Sequence, residues 1–227
     1  MRRRSPSMDI RDFRLPAQWM LLQSEASLAL YQNAQGDTLS IHFFDKAPDI
    51  AADLSDVDGL RAFYRGAAES NGVAMLEVDP TRIGALPAVR TLLKARLQPT
   101  GVAFVGSYTL PFADRSYVLK IQGVESCVTG LREAAVLAMQ PIQVDEDTGR
   151  LLGWEQDPYD PSHEGSYMRN LSDDEMYDAR FPDHPLSRVR RNLRELGEQL
   201  EVAPAISAAK PFQYKATRSG LWSRLFR

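Results

Sequence analysis

PAVRTLLKARLQPTGVAFVGSYTLPFADRSYVLKIQGVE, residues Pro87 to Glu125, decides the fold. Val102, Phe104, Gly106, Tyr108 and Leu110 fall on one side of a two-residue alternation. Tyr117, Leu119 and Ile121 repeat it after the turn signal Pro111-Phe112-Ala113-Asp114. Such alternation puts those side chains on one face of a strand pair, so the stretch reads as an antiparallel hairpin with a buried face. Pro99-Thr100-Gly101 is a second turn, leading back to Val89–Gln98. Taken alone, the helix formers of Val89–Leu97 suit a helix as well as a strand. Their place between two turns and beside a hairpin decides for the strand, and three strands then form a meander.

Upstream, Leu39, Ile41 and Phe43 alternate with Ser40, His42 and Phe44, a half-buried strand. Gln18–Gln23, Ala26–Gln32 and Thr38–Phe44, with the polar turn Asn33–Asp37, form a second antiparallel meander. Ser55 is placed to cap a helix whose stripe is Leu60, Phe63, Tyr64 and Ala67 and whose end is Asn71-Gly72. Val73–Asp79 reads as a strand and Asp79–Gly84 as a loop before the central meander. Thr129 caps a short helix carrying Leu131, Ala134, Ala135 and Ala138, closed by Pro141.

The composition changes near Gln140. Between Asp145 and Pro185 there are twelve acidic residues and three arginines, and strand alternation disappears. A solvated tail rarely carries aromatics such as Trp154, Tyr159, Tyr167, Tyr177 and Phe181, so they anchor the extension on the sheet or on another chain. Pro185 opens a helix with Leu186, Val189, Leu193, Leu196 and Leu200 along one seam. That seam packs on the domain or pairs with a second helix. The tail has no acidic residue after Glu201 and ends with Leu221, Trp222, Leu225 and Phe226 among arginines. It suits a partner groove better than a membrane surface, because so short a stretch buries little area.

The expected fold is α+β: an antiparallel sheet of about six or seven strands covered by helices, followed by an acidic extension and a helix. Residues 1–12 form a flexible tail, with Met1–Ser7 disordered and Met8 a second candidate start. Residues 13–140 form the sheet domain, 141–184 the acidic aromatic extension, and 185–227 the amphipathic helix and basic tail. The formal charge of −3 over 227 residues argues against a nucleic-acid-binding domain. Cys127 is the only cysteine, which excludes an intrachain disulfide and favours a reducing, cytoplasmic setting. No apolar run reaches membrane-spanning length, and none follows the basic N-terminus to make a signal peptide.

This order of elements resembles the PsbP-like and DcrB-like superfamily, an antiparallel sheet covered by helices. Phe13-Arg14-Leu15-Pro16, the lead-in Ile83-Gly84-Ala85-Leu86-Pro87-Ala88 and the strand Tyr117–Ile121 stand at corresponding places. The resemblance covers Met8 to Gln140, and the chain departs from the pattern from Pro141 onward. It implies a binding, adaptor or assembly protein and brings no catalytic motif. One branch, the Eag-type chaperones, is cytoplasmic and holds secreted bacterial effectors before export.

The residues themselves offer little chemistry. His163-Glu164 near Asp157 and Asp160 could supply metal ligands, but the spacing matches no established site. Asp173-Asp174-Glu175 suits the first turn of a short helix at least as well as a cation site. Cys127 lacks a hydrolase signature and reads as a small buried side chain at a strand-to-helix junction. Neither a Gly-x-Ser-x-Gly elbow nor a glycine-rich phosphate loop occurs. No metal or cofactor is therefore expected. The expected function is non-enzymatic binding of a protein partner, as an adaptor or a chaperone for a secreted protein. The expected partner surface comprises Trp154, Tyr159, Tyr167, Tyr177, Phe181, Leu186, Val189, Leu193, Leu221, Trp222 and Phe226. The alternatives are a small hydrolase or metal-dependent enzyme using the acidic extension, and an immunity-type or structural protein.

Overall fold

The computed structural model describes residues 12–125 and 128–214; Met1–Ser7, Cys127, Leu221, Trp222 and Phe226 lie outside the described residues. The strands and helices follow in the order β1 (Phe13–Arg14), β2 (Met20–Ser24), β3 (Leu28–Gln32), β4 (Thr38–Phe44), α1 (Val57–Ser70), β5 (Val73–Ile83), β6 (Leu86–Arg96), β7 (Val102–Pro111) and β8 (Ser116–Glu125). After these come α2 (Leu131–Ala138), β9 (Glu155–Gln156), β10 (Arg169–Asn170), α3 (Pro185–Gln199), β11 (Glu201–Val202) and α4 (Pro204–Ser207). Strands β2 to β8 make one seven-stranded antiparallel sheet in the order β2-β3-β4-β8-β7-β6-β5. Two short pairs, β1 with β11 and β9 with β10, stand apart from it. The α+β architecture read from the alternation is the one observed.

Alternation along each strand gives the sheet two distinct faces. Leu39, Ile41, Leu92, Phe104, Leu110, Leu119 and Ile121 point to one face and are almost fully buried there. Helix α3 covers that face, and Leu186, Val189, Leu193 and Leu196 enter the same cluster with no exposed area. Each such side chain contributes about 1.5–3 kcal/mol by leaving water. The close seating depends on two glycines. A Cβ on Gly106 would lie 2.2 Å from Leu193 Cδ1 and 2.9 Å from Val189 Cγ1; one on Gly123 would lie 3.1 Å from Val189 Cγ2. The Tyr108 hydroxyl donates to the Leu193 carbonyl at 3.1 Å. Asp37, 1% exposed in the β3–β4 turn, accepts from both Nε and Nη2 of Arg188.

The opposite face is covered over only part of its width. There Leu60, Tyr64 and Ala68 of α1 pack with Val73, Met75, Val78, Val89 and Leu93, joined by Ile50 and Ala52 of the preceding loop.

Three local expectations are corrected. Asp56, and not Ser55, caps α1: its carboxylate accepts from the Gly59 N–H at 2.9 Å, while Ser55 donates to Asp53. Thr129 does not cap α2; Gly130 holds that position with φ of 80° and no side-chain bond. Asp79–Ile83 is strand and not loop, pairing with Leu86–Arg90 around a turn whose Gly84 has φ of 56°. The proline and glycine there read as loop signals. Pro80 is tolerated because β5 is an edge strand, where a missing N–H breaks no ladder bond.

The glycine contact is testable by a double-mutant cycle. Gly106→Val should lower stability by about 1–3 kcal/mol through overpacking. Leu193→Ala should relieve it, so that the double variant loses less than the two single losses added. Strict additivity in urea melts would contradict the contact.

Candidate functional site

The residues expected to meet a partner mostly face inward. Tyr159 lies under the Arg61 guanidinium, 3.7 Å from its ring centre, and its hydroxyl accepts from the Val78 N–H at 2.8 Å. Arg61 also donates to the Val78 carbonyl. The acidic extension thereby covers part of the β5 edge of the sheet. Tyr167 carries Arg96 at 4.1 Å from its ring centre. Tyr177 is buried, its hydroxyl accepting from Gln140 at 2.7 Å. Phe181 has Arg132 at 5.8 Å, and Trp154 is half-buried in the turn where its carbonyl accepts from the Leu171 N–H. Leu186, Val189 and Leu193 belong to the core under α3 and offer no area to another chain.

The extension is also held by buried charge. Lys94, 3% exposed on β6, places its ammonium 2.7 Å from Glu133 of α2 and 3.1 Å from Asp173. Burial opposes that charge, but Asp173 and Glu133 outweigh it and hold the ammonium above its ordinary range. Asp173 Oδ2 also accepts from the Asn170 N–H at 2.9 Å, and Asn170 donates to Glu133 at 2.6 Å. Beside them Arg132, 2% exposed, donates to the Ser172 and Asp174 carbonyls, to Asp178 and to Ser187. Buried charges persist only when paired and hydrogen-bonded in this way. Every anion in the cluster is taken up by a cation or donor, so the network binds the chain to itself.

The carboxylates near His163 are similarly engaged. Arg65 holds Asp157 with two bonds of 2.8 Å, Asp160 accepts from Ser162, and His163 Nε2 lies 2.9 Å from Glu69. The crevice between them encloses about 20 Å3, room for one water. Among the described residues no three His, Cys, Asp or Glu side chains come together as metal ligands.

Among the described residues, no element covers the sheet surface opposite α3 beyond the reach of α1. Register pairs Thr91 with Ser107, Ser107 with Lys120, and Lys120 with Ser40, a polar row across four adjacent strands. Leu28, Leu30, Phe44, Val105 and Gln122 around it are half-buried, and Val124 is 36% exposed. The His42 ring accepts from or donates to Ser40 at 2.9 Å and stacks on Phe44. Crowding by its neighbours, and then the Lys120 charge, lower the His42 pKa to about 4. Lys120 has its own pKa lowered by burial. Burial is the one cause of that lowering, with no carboxylate among the described residues to offset it. This half-buried cation in a polar strip bordered by apolar side chains is the arrangement best suited to an external anionic group.

Neither lysine was singled out from the sequence. Lys94 shares the parity of Leu86, Ala88 and Leu92 on β6, a sign that it lies on the buried side. Lys120 shares its row with Ser40 and Ser107, so only the pairing register reveals the polar strip.

No family model matches the chain, and no curated protein matches it. Solved structures with a partial likeness include a protein of Bacteroides thetaiotaomicron, at 10% identity and a TM-score of 0.32. That likeness covers 52% of this chain and only 39% of the other. Another is LpqN of Mycobacterium tuberculosis, involved in cell envelope biogenesis, at 14% identity and a TM-score of 0.26, covering 56% of this chain and 78% of that one. At these scores neither likeness bears on family or function.

Two outcomes follow from the charges. Asp173→Asn should destabilise by about 3–5 kcal/mol, because it leaves Lys94 buried beside one carboxylate. Lys94→Met combined with Asp173→Asn should recover part of that loss in urea melts; no recovery would contradict the pairing. His42 is held neutral when folded, so the unfolded chain takes up its proton first. Stability should therefore fall as pH drops from about 6.5 towards 4. His42→Gln should lose less stability over that window than the parent, and parallel melting curves would refute the assignment.

Proposed function

We propose that the chain is a non-enzymatic protein-binding module, an adaptor or chaperone-like scaffold of the cytoplasm. Its partner surface is the open face of β8, β4 and β3. The observation that carries this reading is Lys120: a half-buried ammonium in a polar strip bordered by half-buried apolar groups, its pKa lowered by burial with no carboxylate among the described residues to offset it. The partner that fits is an extended protein segment presenting apolar side chains on either side of an Asp or Glu. Its apolar groups would cover Leu28, Leu30, Phe44, Val105 and Val124, and its carboxylate would meet Lys120. A charge-assisted bond in such a surround is stronger than one in water.

The resemblance to the PsbP-like and DcrB-like superfamily agrees with this reading, as the finer form of the proposal. The Eag-type branch suggests a secreted protein as the partner. The single cysteine suits the reducing compartment in which such a chaperone would work.

A displayed library of random peptides tests the proposal on the purified protein. Selected peptides should share an acidic residue flanked by apolar ones. Their binding should move the amide resonances of β3, β4 and β8, and Lys120→Glu should weaken it at least about tenfold, 1.4 kcal/mol. Selected peptides without an acidic residue, or resonance changes confined to the α3 side, would sink the reading.

A further inference from the structure

The three histidines do not keep the same company. His163 Nε2 lies 2.9 Å from Glu69, and His184 Nε2 lies 3.5 Å from Glu125. His42 stands beside a lysine instead. Ser40 and His42 are two residues apart on β4 and so share a face, and the register puts Lys120 of β8 directly opposite Ser40. The ring is fixed from two sides, by Ser40 Oγ at 2.9 Å from Nε2 and by Phe44, which stacks on it. Opposite His42 stand Leu28 on β3 and Val118 on β8, so Lys120 is the charged group that bears on the ring. Two bases thus share one patch of the open face, and among the described residues no carboxylate offsets either of them. Two like charges crowded in this way oppose each other until something negative joins them.

We propose that Lys120 and His42 together form one oxyanion site, in which an arriving carboxylate brings a proton onto the His42 ring. The site rests on the reading of this face as a partner surface and deepens it, by adding a second base to the recognition and coupling it to pH. Without an anion, burial and then the Lys120 charge keep the ring neutral, with a pKa of about 4. An anion held by both bases cancels the Lys120 charge and attracts a second one, so the ring returns towards its ordinary pKa of about 6.5. The proton comes from solvent and settles on a ring nitrogen, and no other bond is made or broken. Protonated, the ring donates from Nε2 to Ser40 Oγ, so its charge is held by a contact that already exists. The bound ring keeps its proton at pH values where the free ring loses it. Affinity for an anion therefore rises as pH falls from about 6.5 and levels off near 4.

Proton NMR of the histidine rings tests this on the full chain, with pH titrations in sodium sulfate and in sodium chloride at equal ionic strength. Sulfate keeps its charge throughout, so a difference between the two salts belongs to the protein. The His42 ring should bind its proton about tenfold more tightly in sulfate, and Lys120→Gln should remove that difference. His163 and His184, each beside a glutamate, are the internal controls and should titrate alike in both salts. A His42 curve identical in the two salts would overturn the proposal, as would a rise that Lys120→Gln leaves in place or that all three rings share. Peptides selected for this face give the second measurement: their affinity should rise about tenfold from pH 7 to pH 5, and His42→Gln should flatten that profile. Peptides that need Lys120 but bind with a flat profile would overturn this inference and leave the protein-binding reading standing. A sulfate-dependent His42 with no peptide selected would support the oxyanion site and remove the protein-binding reading.

Discussion

The structure depends on the contact between α3 and two strand glycines. Val189 and Leu193 sit where the side chains of Gly106 and Gly123 would otherwise stand, and the Tyr108 hydroxyl reaches the helix backbone. Interiors are packed too tightly for such a fit to survive an added methyl without movement. Because the helix is seated so closely, β7 and β8 are sealed on one side, and the large residues of β4 and β8 are buried with them. Arg188 extends the hold to the β3–β4 turn through Asp37. The last long helix thus completes a core that the sheet began.

The acidic extension crosses to this arrangement on charge. Its aspartates are numerous, yet Asp157, Asp173 and Asp178 are each met by Arg65, Lys94, Arg132 or Arg190. Removing two ions from water is costly, and a buried pair is therefore weak evidence of net stability. Its effect here is to specify position: a carboxylate that must find Lys94 cannot slide by one residue. The same extension puts Tyr159 on the β5 edge. Among the described residues, the sheet face around Lys120 is left without a covering element.

The alternation of Val102–Leu110 and Tyr117–Ile121 made the sheet legible, since period 2 has one structural meaning when turns bound it. The seam of α3 was equally plain, but a seam does not name the surface that fills it. The signal was present in Gly106 and Gly123, which occupy inward positions of neighbouring strands and leave a hollow. Burial of Lys94 depends on Glu133 and Asp173, distant in sequence, so its parity on β6 marks the face but not the carboxylates that meet it there. Gln18–Gln23 read only as a strand of the second meander, and the order of the strands places Met20–Ser24 at the edge of the sheet. Asp79–Gly84 failed for a local reason, because turn residues were spread across the end of a hairpin.

One face of this sheet is closed by the chain itself, and we propose that the other is presented to a partner. Lysine acetylation of the native purified protein, followed by mass spectrometry, compares the two faces within one molecule. Lys120 should be modified readily, helped by its lowered pKa, while Lys94 stays unmodified until the protein is unfolded. Protection of Lys120 equal to that of Lys94, or labelling of both at one rate in the folded protein, would contradict the account.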